Sequence, residues 1–252
     1  MAVTENEPSI AVKKQTRRVF LRTGLVTGAS TLAGATLLEG AEEKEKPGGE
    51  KEEDKVSPPE DLMREHGVLK RILLIYGEAI RRMSANQELP VEVVLDSARI
   101  IRSFVEDYHE KLEEDYLFPR FEKAGKLVDL TKILRAQHQA GRRVTDLTIS
   151  LAKQSVLKNA GERARFTESL QQFIRMYNPH EAREDTVLFP AFRSIVSENE
   201  FDSLGEEFEK KEDALFGEDG FGKMVDQVAG LEKKLGIYEL AQFTPTLGLT
   251  VP

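Results

Sequence analysis

The sequence contains no cysteine and no tryptophan among its 252 residues, and it contains only four histidines. Without cysteine the chain can form no disulfide, no zinc ribbon, no cysteine-ligated iron–sulfur cluster and no thiol nucleophile. The net charge is −8, and the basic residues are scattered along the chain. Nucleic-acid binding needs a basic face, so this composition excludes nucleic acid as an expected partner. The positions of the four histidines carry most of the remaining information.

Residues 1–41 predict an export signal. The segment Thr16–Arg22 has two adjacent arginines followed by Val-Phe-Leu-Arg, which is similar to a twin-arginine signal. The uncharged run Thr23–Leu38 suits a signal-peptide core but is shorter than the roughly 20 residues of a membrane span. We therefore expect export by the twin-arginine machinery to a periplasmic or extracytoplasmic location, with no stable membrane span in the mature protein. Because Glu39–Ala41 is a poor cleavage site, a signal-anchored form and a plain basic tail are the alternatives.

Residues 42–57 predict a disordered acidic linker. The segment is rich in glutamate and lysine, and Val56 is its one large apolar side chain. Such a segment cannot bury enough apolar surface to offset the entropy lost on ordering. We therefore expect the folded domain to begin near Pro58.

From Pro58 onward, apolar residues recur at the spacing of α-helices. The first helix carries one stripe at alternating steps of four and three: Leu62, His66, Leu69, Leu73, Tyr76, Ile80 and Met83. Further helices are predicted from Pro90, from about Val128 to Gln154, and after Asn159–Gly161. Short connections favour antiparallel neighbours, so the predicted fold is all-α, an antiparallel four-helix bundle over residues 58–198. Residues 199–252 are expected to form a C-terminal helical extension and tail.

The chain also contains an internal repeat. The second and fourth helices share the pattern His-Glu-x-x-Glu-x-x-x-Leu-Phe-Pro-x-Phe, at residues 109–121 and 180–192. The first and third helices share Leu-x-x-x-His-x-x-x-basic-Arg, at residues 62–71 and 134–143. The duplicated helix pair therefore uses each of the four histidines once.

Residues four apart lie on one face of a helix, about 6 Å from each other. The histidine and the second glutamate of each repeat can therefore offer a nitrogen and an oxygen to one ion. With the histidines of the other two helices, the core would hold four imidazoles and two carboxylates: His66, His109, Glu113, His138, His180 and Glu184. This set is enough for two ions, each with two histidines, with both glutamates able to bridge and positions left for a small ligand. Mixed imidazole and carboxylate ligands with open positions suit iron or manganese, and fit zinc less well.

A purely structural explanation is the alternative. A single histidine on an apolar stripe is commonly a satisfied core residue, and a His-x-x-x-Glu pair commonly stabilises a helix surface. However, Glu184 lies on an otherwise apolar stripe, where an unpaired carboxylate would be costly. Four such coincidences in symmetric register favour the metal site.

The paired motifs resemble those of the hemerythrin-like family of HHE cation-binding domains, over Asp61–Phe192. The resemblance implies a non-haem diiron centre with the four histidines as terminal ligands and Glu113 and Glu184 as bridges. Oxygen-carrying hemerythrins use five histidines, two of them four residues apart on the third helix. Here the positions four before and four after His138 are Leu134 and Arg142, which argues against a stable oxygen carrier. Candidates to complete the coordination are water and three side chains, Glu110, Tyr177 and Glu181.

The resemblance leads to a predicted function and two alternatives. We expect a diiron protein that binds dioxygen or a related ligand such as nitric oxide or peroxide, with manganese or zinc less expected than iron. The alternatives are a diiron oxidoreductase, of the peroxidase or nitric-oxide reductase type, and an iron storage or sensing protein without turnover. No nucleotide, flavin or haem motif supplies an electron path, which slightly favours binding. The extension over residues 199–252 resembles those of bacterial members of the family.

Overall fold

Helices make up most of the chain between residues 56 and 245, the part that this computed structural model describes, and no strand occurs there. This confirms the all-α prediction. The predicted twin-arginine signal, all but the last two residues of the predicted linker, and residues 246–252 lie outside the described residues. Within the described part, no helix combines the length and the apolar character needed to cross a membrane.

The first helix, α1, spans Pro58–Ser84. Prolines are tolerated in a first helical turn because the N–H groups there have no partner within the helix. Acidic Glu60 and Asp61 in the first turn and basic Arg81 and Arg82 in the last turn complement the helix dipole. The predicted apolar stripe of α1 faces the core.

The second helix, α2, is continuous but changes its winding along its length. It consists of an α-helical start, two π-helical stretches separated by a short α turn, and an α-helical end: Val91–Ile100, Ile101–His109, Glu110–Leu112, Glu113–Leu117 and Phe118–Ala124. Gly125 ends α2 in the left-handed conformation, with φ at 64°.

The third helix, α3, spans Val128–Leu151, which is three residues shorter than the sequence predicts. Ala152 has a non-helical ψ of 69°, and Lys153 donates its backbone N–H to the carbonyl of Leu151. This turn buries Ala152 and leads into a short 3₁₀ turn whose first residue, Val156, is also buried. Burial of these two apolar side chains therefore ends the helix early.

The fourth helix, α4, consists of Ala160–Arg183, a π-helical turn at Glu184–Leu188 and a last turn at Phe189–Phe192. The side chain of Asn159 accepts the backbone N–H of Glu162 and so caps the start of this helix.

Two more helices, α5 (Glu198–Phe216) and α6 (Gly220–Leu235), follow in the region predicted as a helical extension. A short 3₁₀ turn, Leu240–Phe243, follows α6.

A large aromatic and aliphatic core joins these helices. α3 packs on α4, and α1 packs on both α4 and α6. α6 also packs on α2, and an ion pair between Arg71 and Glu232 joins it to α1. The largest fully buried side chains are mostly aromatic: Tyr76, Phe104, Tyr108, Phe118, Phe121, Phe166, Phe173, Tyr177, Phe189, Phe192 and Phe208. The predicted site residues lie within this packed interior.

Candidate metal centre

The structure brings all six predicted site residues together in the core. Each of them is at most 4% exposed. Their nitrogen and oxygen atoms form two overlapping groups that share one glutamate, and the atoms of each group lie within 4.8 Å of one another. One group contains Glu113, His138, His180 and Glu184, and the other contains His66, His109 and Glu113.

The four histidines form two pairs, and each pair comes from one half of the repeat. The ring centroids of His66 and His109 lie 4.8 Å apart, and those of His138 and His180 lie 5.1 Å apart. α1 and α2 supply the first pair, and α3 and α4 supply the second. Two separate imidazole-lined positions therefore lie side by side in the core.

The two glutamates lie between these pairs. Glu184 places Oε1 3.2 Å from Nε2 of His180 and Oε2 3.4 Å from Nε2 of His66, so its two oxygens face different pairs. Oε2 of Glu113 lies 3.8 Å from Nε2 of His109 and 3.4 Å from Nε2 of His138. Both carboxylates can therefore contribute to both positions.

The carboxylate oxygens of Glu113 and Glu184 have no hydrogen-bond partner, although both side chains are completely buried. Nε2 of His138 is also buried without a hydrogen bond. A buried carboxylate without partners is costly, and metal ions commonly offset such a cost. These orphaned atoms lie among the other nitrogen and oxygen donors of the site and are of the kind that a divalent metal ion requires.

Each histidine ring is oriented by a contact on its outer nitrogen, Nδ1. His66 contacts Oδ1 of Asp185 at 2.7 Å, and His138 contacts Oε1 of Glu114 at 3.1 Å. Both acidic residues directly follow a central glutamate in the sequence. The arrangement is therefore repeated in the two halves of the chain.

The other two histidines are held from the neighbouring helices. His109 contacts Oε2 of Glu65 at 2.8 Å, and His180 contacts Oε1 of Gln137 at 2.9 Å. Outer hydrogen bonds of this kind fix the tautomer and the ring orientation of a metal-binding histidine. All four rings thus present Nε2 to the interior of the site.

The Leu-Phe-Pro motifs supply two further parts of the site. Phe189 stacks on His66 and Phe118 stacks on His138, each with a centroid distance of 5.5 Å. These phenylalanine rings exclude water from one side of His66 and from one side of His138. The phenylalanines of the repeat therefore give both positions the same apolar wall.

The proline of the same motif accounts for two of the three π-helical stretches in the described residues, Glu113–Leu117 and Glu184–Leu188. Phe118 donates its N–H to the carbonyl of Glu113, and Phe189 donates to Glu184, in each case five residues earlier. The following residues, Pro119 and Pro190, have no N–H, and a proline ring clashes with the carbonyl four residues before it. The helix widens to avoid that clash, and the first residue of each wide turn is a central glutamate. Such turns are frequent at functional sites.

In the metal-free centre, burial and neighbouring charges raise the pKa of some groups and lower the pKa of others. Burial, together with the charge of Glu184, holds the pKa of Glu113 well above its usual range. Burial would lower the pKa of His66, but the hydrogen bond to Asp185 and the negative charges of Asp185 and Glu184 outweigh it and raise that pKa to about 10. Burial lowers the pKa of His138 to about 4. His66 therefore holds a proton at neutral pH that a metal ion would displace.

The three side chains considered as additional ligands have other partners. Tyr177 donates its hydroxyl to Oε1 of Glu110 at 2.6 Å, and Arg142 contacts Oε2 of the same carboxylate at 2.8 Å. Nζ of Lys70 lies 3.0 Å from Oε2 of Glu181. Glu110 and Glu181 thus form ion pairs at corresponding positions of the two repeats, next to the centre.

Sequence reasoning missed the four outer partners of the histidines and the two wide turns. The outer partners directly precede a histidine or directly follow a glutamate of the site, but polar neighbours on a helix are too common to stand out. The repeated proline was a usable signal for the wide turns, because proline inside a helix must alter the hydrogen bonding before it.

Comparison with known proteins gives a family but no solved template. The family model of the hemerythrin HHE cation-binding domain matches the sequence at residues 57–192 and, in a second match, at residues 129–242. The second match begins in α3, the counterpart of α1, as expected for an internal repeat. Uncharacterised proteins of Mycobacterium bovis and of two Mycobacterium tuberculosis strains are each 53% identical over 191 residues, 76% of this chain and 75% of each relative. No solved structure matches the chain. The chain therefore belongs to the hemerythrin HHE cation-binding domain family.

Proposed function

We propose that this protein holds two iron ions between its two histidine pairs and binds a small ligand there, such as dioxygen, nitric oxide or peroxide. The observation that carries the proposal is the position of Glu184, whose two oxygens face His180 and His66 on opposite sides. A carboxylate placed in this way serves two ions at once. In the proposed centre, the four histidines are terminal ligands, and Glu113 and Glu184 are bridges.

The donor set supports iron as the metal. Imidazole with carboxylate, and no thiolate, suits iron or manganese and is less typical of a zinc site. Six protein side chains shared between two ions leave positions free, which a ligand-binding centre needs. Bound iron would supply the affinity for the small ligand and the capacity to exchange electrons with it.

The side chains around the centre have roles of their own in this proposal. The outer hydrogen bonds hold each Nε2 in place, so little reorganisation is needed when ions bind. Phe118 and Phe189 keep bulk water from the histidines, and this favours an apolar diatomic ligand over polar solutes. The ion pair of Arg142 with Glu110 fixes the hydroxyl of Tyr177 next to the centre.

We also propose the antiparallel four-helix bundle as the arrangement of α1 to α4, with α5 and α6 as the extension. Contacts of α1 with α4, α2 with α3, and α3 with α4 support this arrangement. So does the meeting of one histidine from each of the four helices. The twin-arginine motif at Arg17 and Arg18 supports a further proposal, export of the protein as a folded chain.

Two alternative functions use the same centre, an oxidoreductase and an iron storage or sensing protein. One experiment separates all three: elemental analysis of the reconstituted protein, followed by optical spectra before and after addition of dioxygen, nitric oxide or hydrogen peroxide. Two irons per chain with a reversible spectral change support ligand binding. Catalytic consumption of peroxide or nitric oxide supports the oxidoreductase, and iron without a response to any ligand supports storage. Fewer than two metal ions per chain would contradict the dinuclear centre.

A further inference from the structure

The two halves of the centre differ in one outer contact, although the repeat makes them alike elsewhere. Glu65 and Gln137 occupy the same position of the repeat, directly before His66 and His138. Glu65 contacts Nδ1 of His109 with a carboxylate oxygen, whereas Gln137 contacts Nδ1 of His180 with a neutral amide oxygen. The first histidine pair thus has two carboxylates as outer partners, and the second pair has one.

Two further carboxyl groups lie beside Glu65, the outer partner of His109. Asp61 and Glu212 lie close to Glu65, with one oxygen of each of the three carboxylates within 4.8 Å of the others, and all three side chains are buried. α5 contributes Glu212, so the C-terminal extension adds a carboxyl group to this side of the centre.

The second histidine pair has basic residues around its single outer carboxylate. Glu114, which contacts His138, also pairs with Nη1 of Arg142 at 2.8 Å and with Nζ of Lys111 at 2.6 Å. These two cations offset the charge of Glu114. The outer partners of the second pair are therefore one neutral amide and one carboxylate that is already paired with two cations.

We infer that the two metal positions are unequal, and that Glu65 makes the His66–His109 position bind a divalent cation before and more tightly than the His138–His180 position. The inference rests on the proposed dinuclear centre. A carboxylate on Nδ1 raises the basicity of the imidazole that binds the ion, and loss of such an outer partner typically costs about 10- to 100-fold in metal affinity. Glu65 acts through His109 and is a positioning residue, not a ligand.

The test is titration of the metal-free full-length chain with cobalt(II), followed by its visible absorption and by chelator competition. We expect two binding steps whose dissociation constants differ about tenfold or more. His109→Ala should remove the tight step and His180→Ala the weak one. Equal constants in the unmodified protein, or loss of the weak step in His109→Ala, would overturn the inference.

Two exchanges at the repeat position make the test specific. Glu65→Gln should weaken the tight step and bring the two constants together, and Gln137→Glu should strengthen the weak step. Gln139→Glu is the matched control, because it adds the same charge to the same helix on an exposed side chain. An effect of Gln139→Glu equal to that of Gln137→Glu, or no effect of Glu65→Gln in a normally folded protein, would overturn the role of Glu65. Binding of fewer than two cobalt ions would instead contradict the dinuclear centre itself, and the inference with it.

Discussion

Glu184 and His66 meet across the two halves of the repeat, with Oε2 of the glutamate 3.4 Å from Nε2 of the histidine. The other oxygen of Glu184 faces His180 on its own helix at 3.2 Å. One carboxylate thereby links α1 to α4 through the centre. The consequences for metal binding and for folding can be measured separately.

Replacement of Glu184 by glutamine should keep the fold and remove most of the metal binding. The amide retains the volume but loses the negative charge that offsets two cations, so we expect fewer than two ions per chain. Metal stabilises a folded chain that binds it, so the metal-dependent rise in melting temperature should also be lost. Without metal, the variant should be no more stable than the original, because the protonated His66 loses a buried negative partner.

Glu106→Gln is the matched control for this substitution. Glu106 is a completely buried glutamate of α2, but its partners are Thr145 and Arg102, not the histidines. The control should still bind two ions. Equal metal-dependent shifts in melting temperature for Glu184→Gln and the unmodified protein would rule out Glu184 as a bridging ligand.

Metal affinity should fall as the pH is lowered between pH 8 and pH 6. In this range His66 of the metal-free protein keeps a proton, because its pKa is raised to about 10. Burial and the charge of Glu184 raise the pKa of Glu113 as well, which acts in the same direction. Binding must displace the proton of His66, so affinity should change by about tenfold per pH unit. Calorimetry in buffers with different ionisation enthalpies measures the protons released, and a release of none would refute this account.

The prolines of the Leu-Phe-Pro motifs should control the position of the central glutamates. Pro119→Ala restores an N–H and removes the clash, so the turn starting at Glu113 can return to normal α-helical winding. We expect metal affinity to fall about tenfold, with a change in unfolding free energy below about 1 kcal/mol. Pro59→Ala, in the first turn of α1, is the control and should leave metal binding unchanged. An unaltered affinity in Pro119→Ala would contradict the role of the wide turn.

Gly141→Ala should destabilise the protein next to the centre. A Cβ atom at Gly141 would clash with the hydroxyl oxygen of Tyr177, which is buried and hydrogen-bonded to Glu110. Overpacking of this kind costs about 1 to 3 kcal/mol. Gly77→Ala, in an exposed helical position with no atom within 4 Å of the added Cβ, should instead stabilise by up to about 1 kcal/mol. Chemical denaturation of both variants measures the difference, and equal effects would contradict the close packing of Tyr177.

Replacement of Arg17 and Arg18 together by lysine should retain the protein inside the cell, if export uses the twin-arginine machinery. Fractionation of cells that express the original and the double variant measures the result. A separate variant that lacks residues 1–41 altogether provides the reference for complete retention. An unchanged extracytoplasmic yield would show that the N-terminal segment is not a twin-arginine signal.

Much of the fold and the six candidate ligands could be predicted from local patterns. Helical periodicity depends on residues three and four apart, and the His-x-x-x-Glu spacing places both side chains on one face of the same helix. The internal repeat then indicates that the two helices with His-x-x-x-Glu pairs pack against the two helices that each carry a single histidine. These are properties of short stretches of chain, which a sequence displays directly.

The sequence by itself determined the helical class, the family and the residues available to a metal. Only the tertiary structure decided that His66 pairs with His109 and His138 with His180, that Glu184 faces both pairs, and that Glu65 and Gln137 hold equivalent histidines with different charge. Such contacts join residues on different helices, so they depend on how the helices are rotated and packed. Packing of the whole core sets those rotations. The wide turns at Glu113 and Glu184 also change which residues of α2 and α4 face the core, because each turn shifts the helical register. No local pattern contains that information.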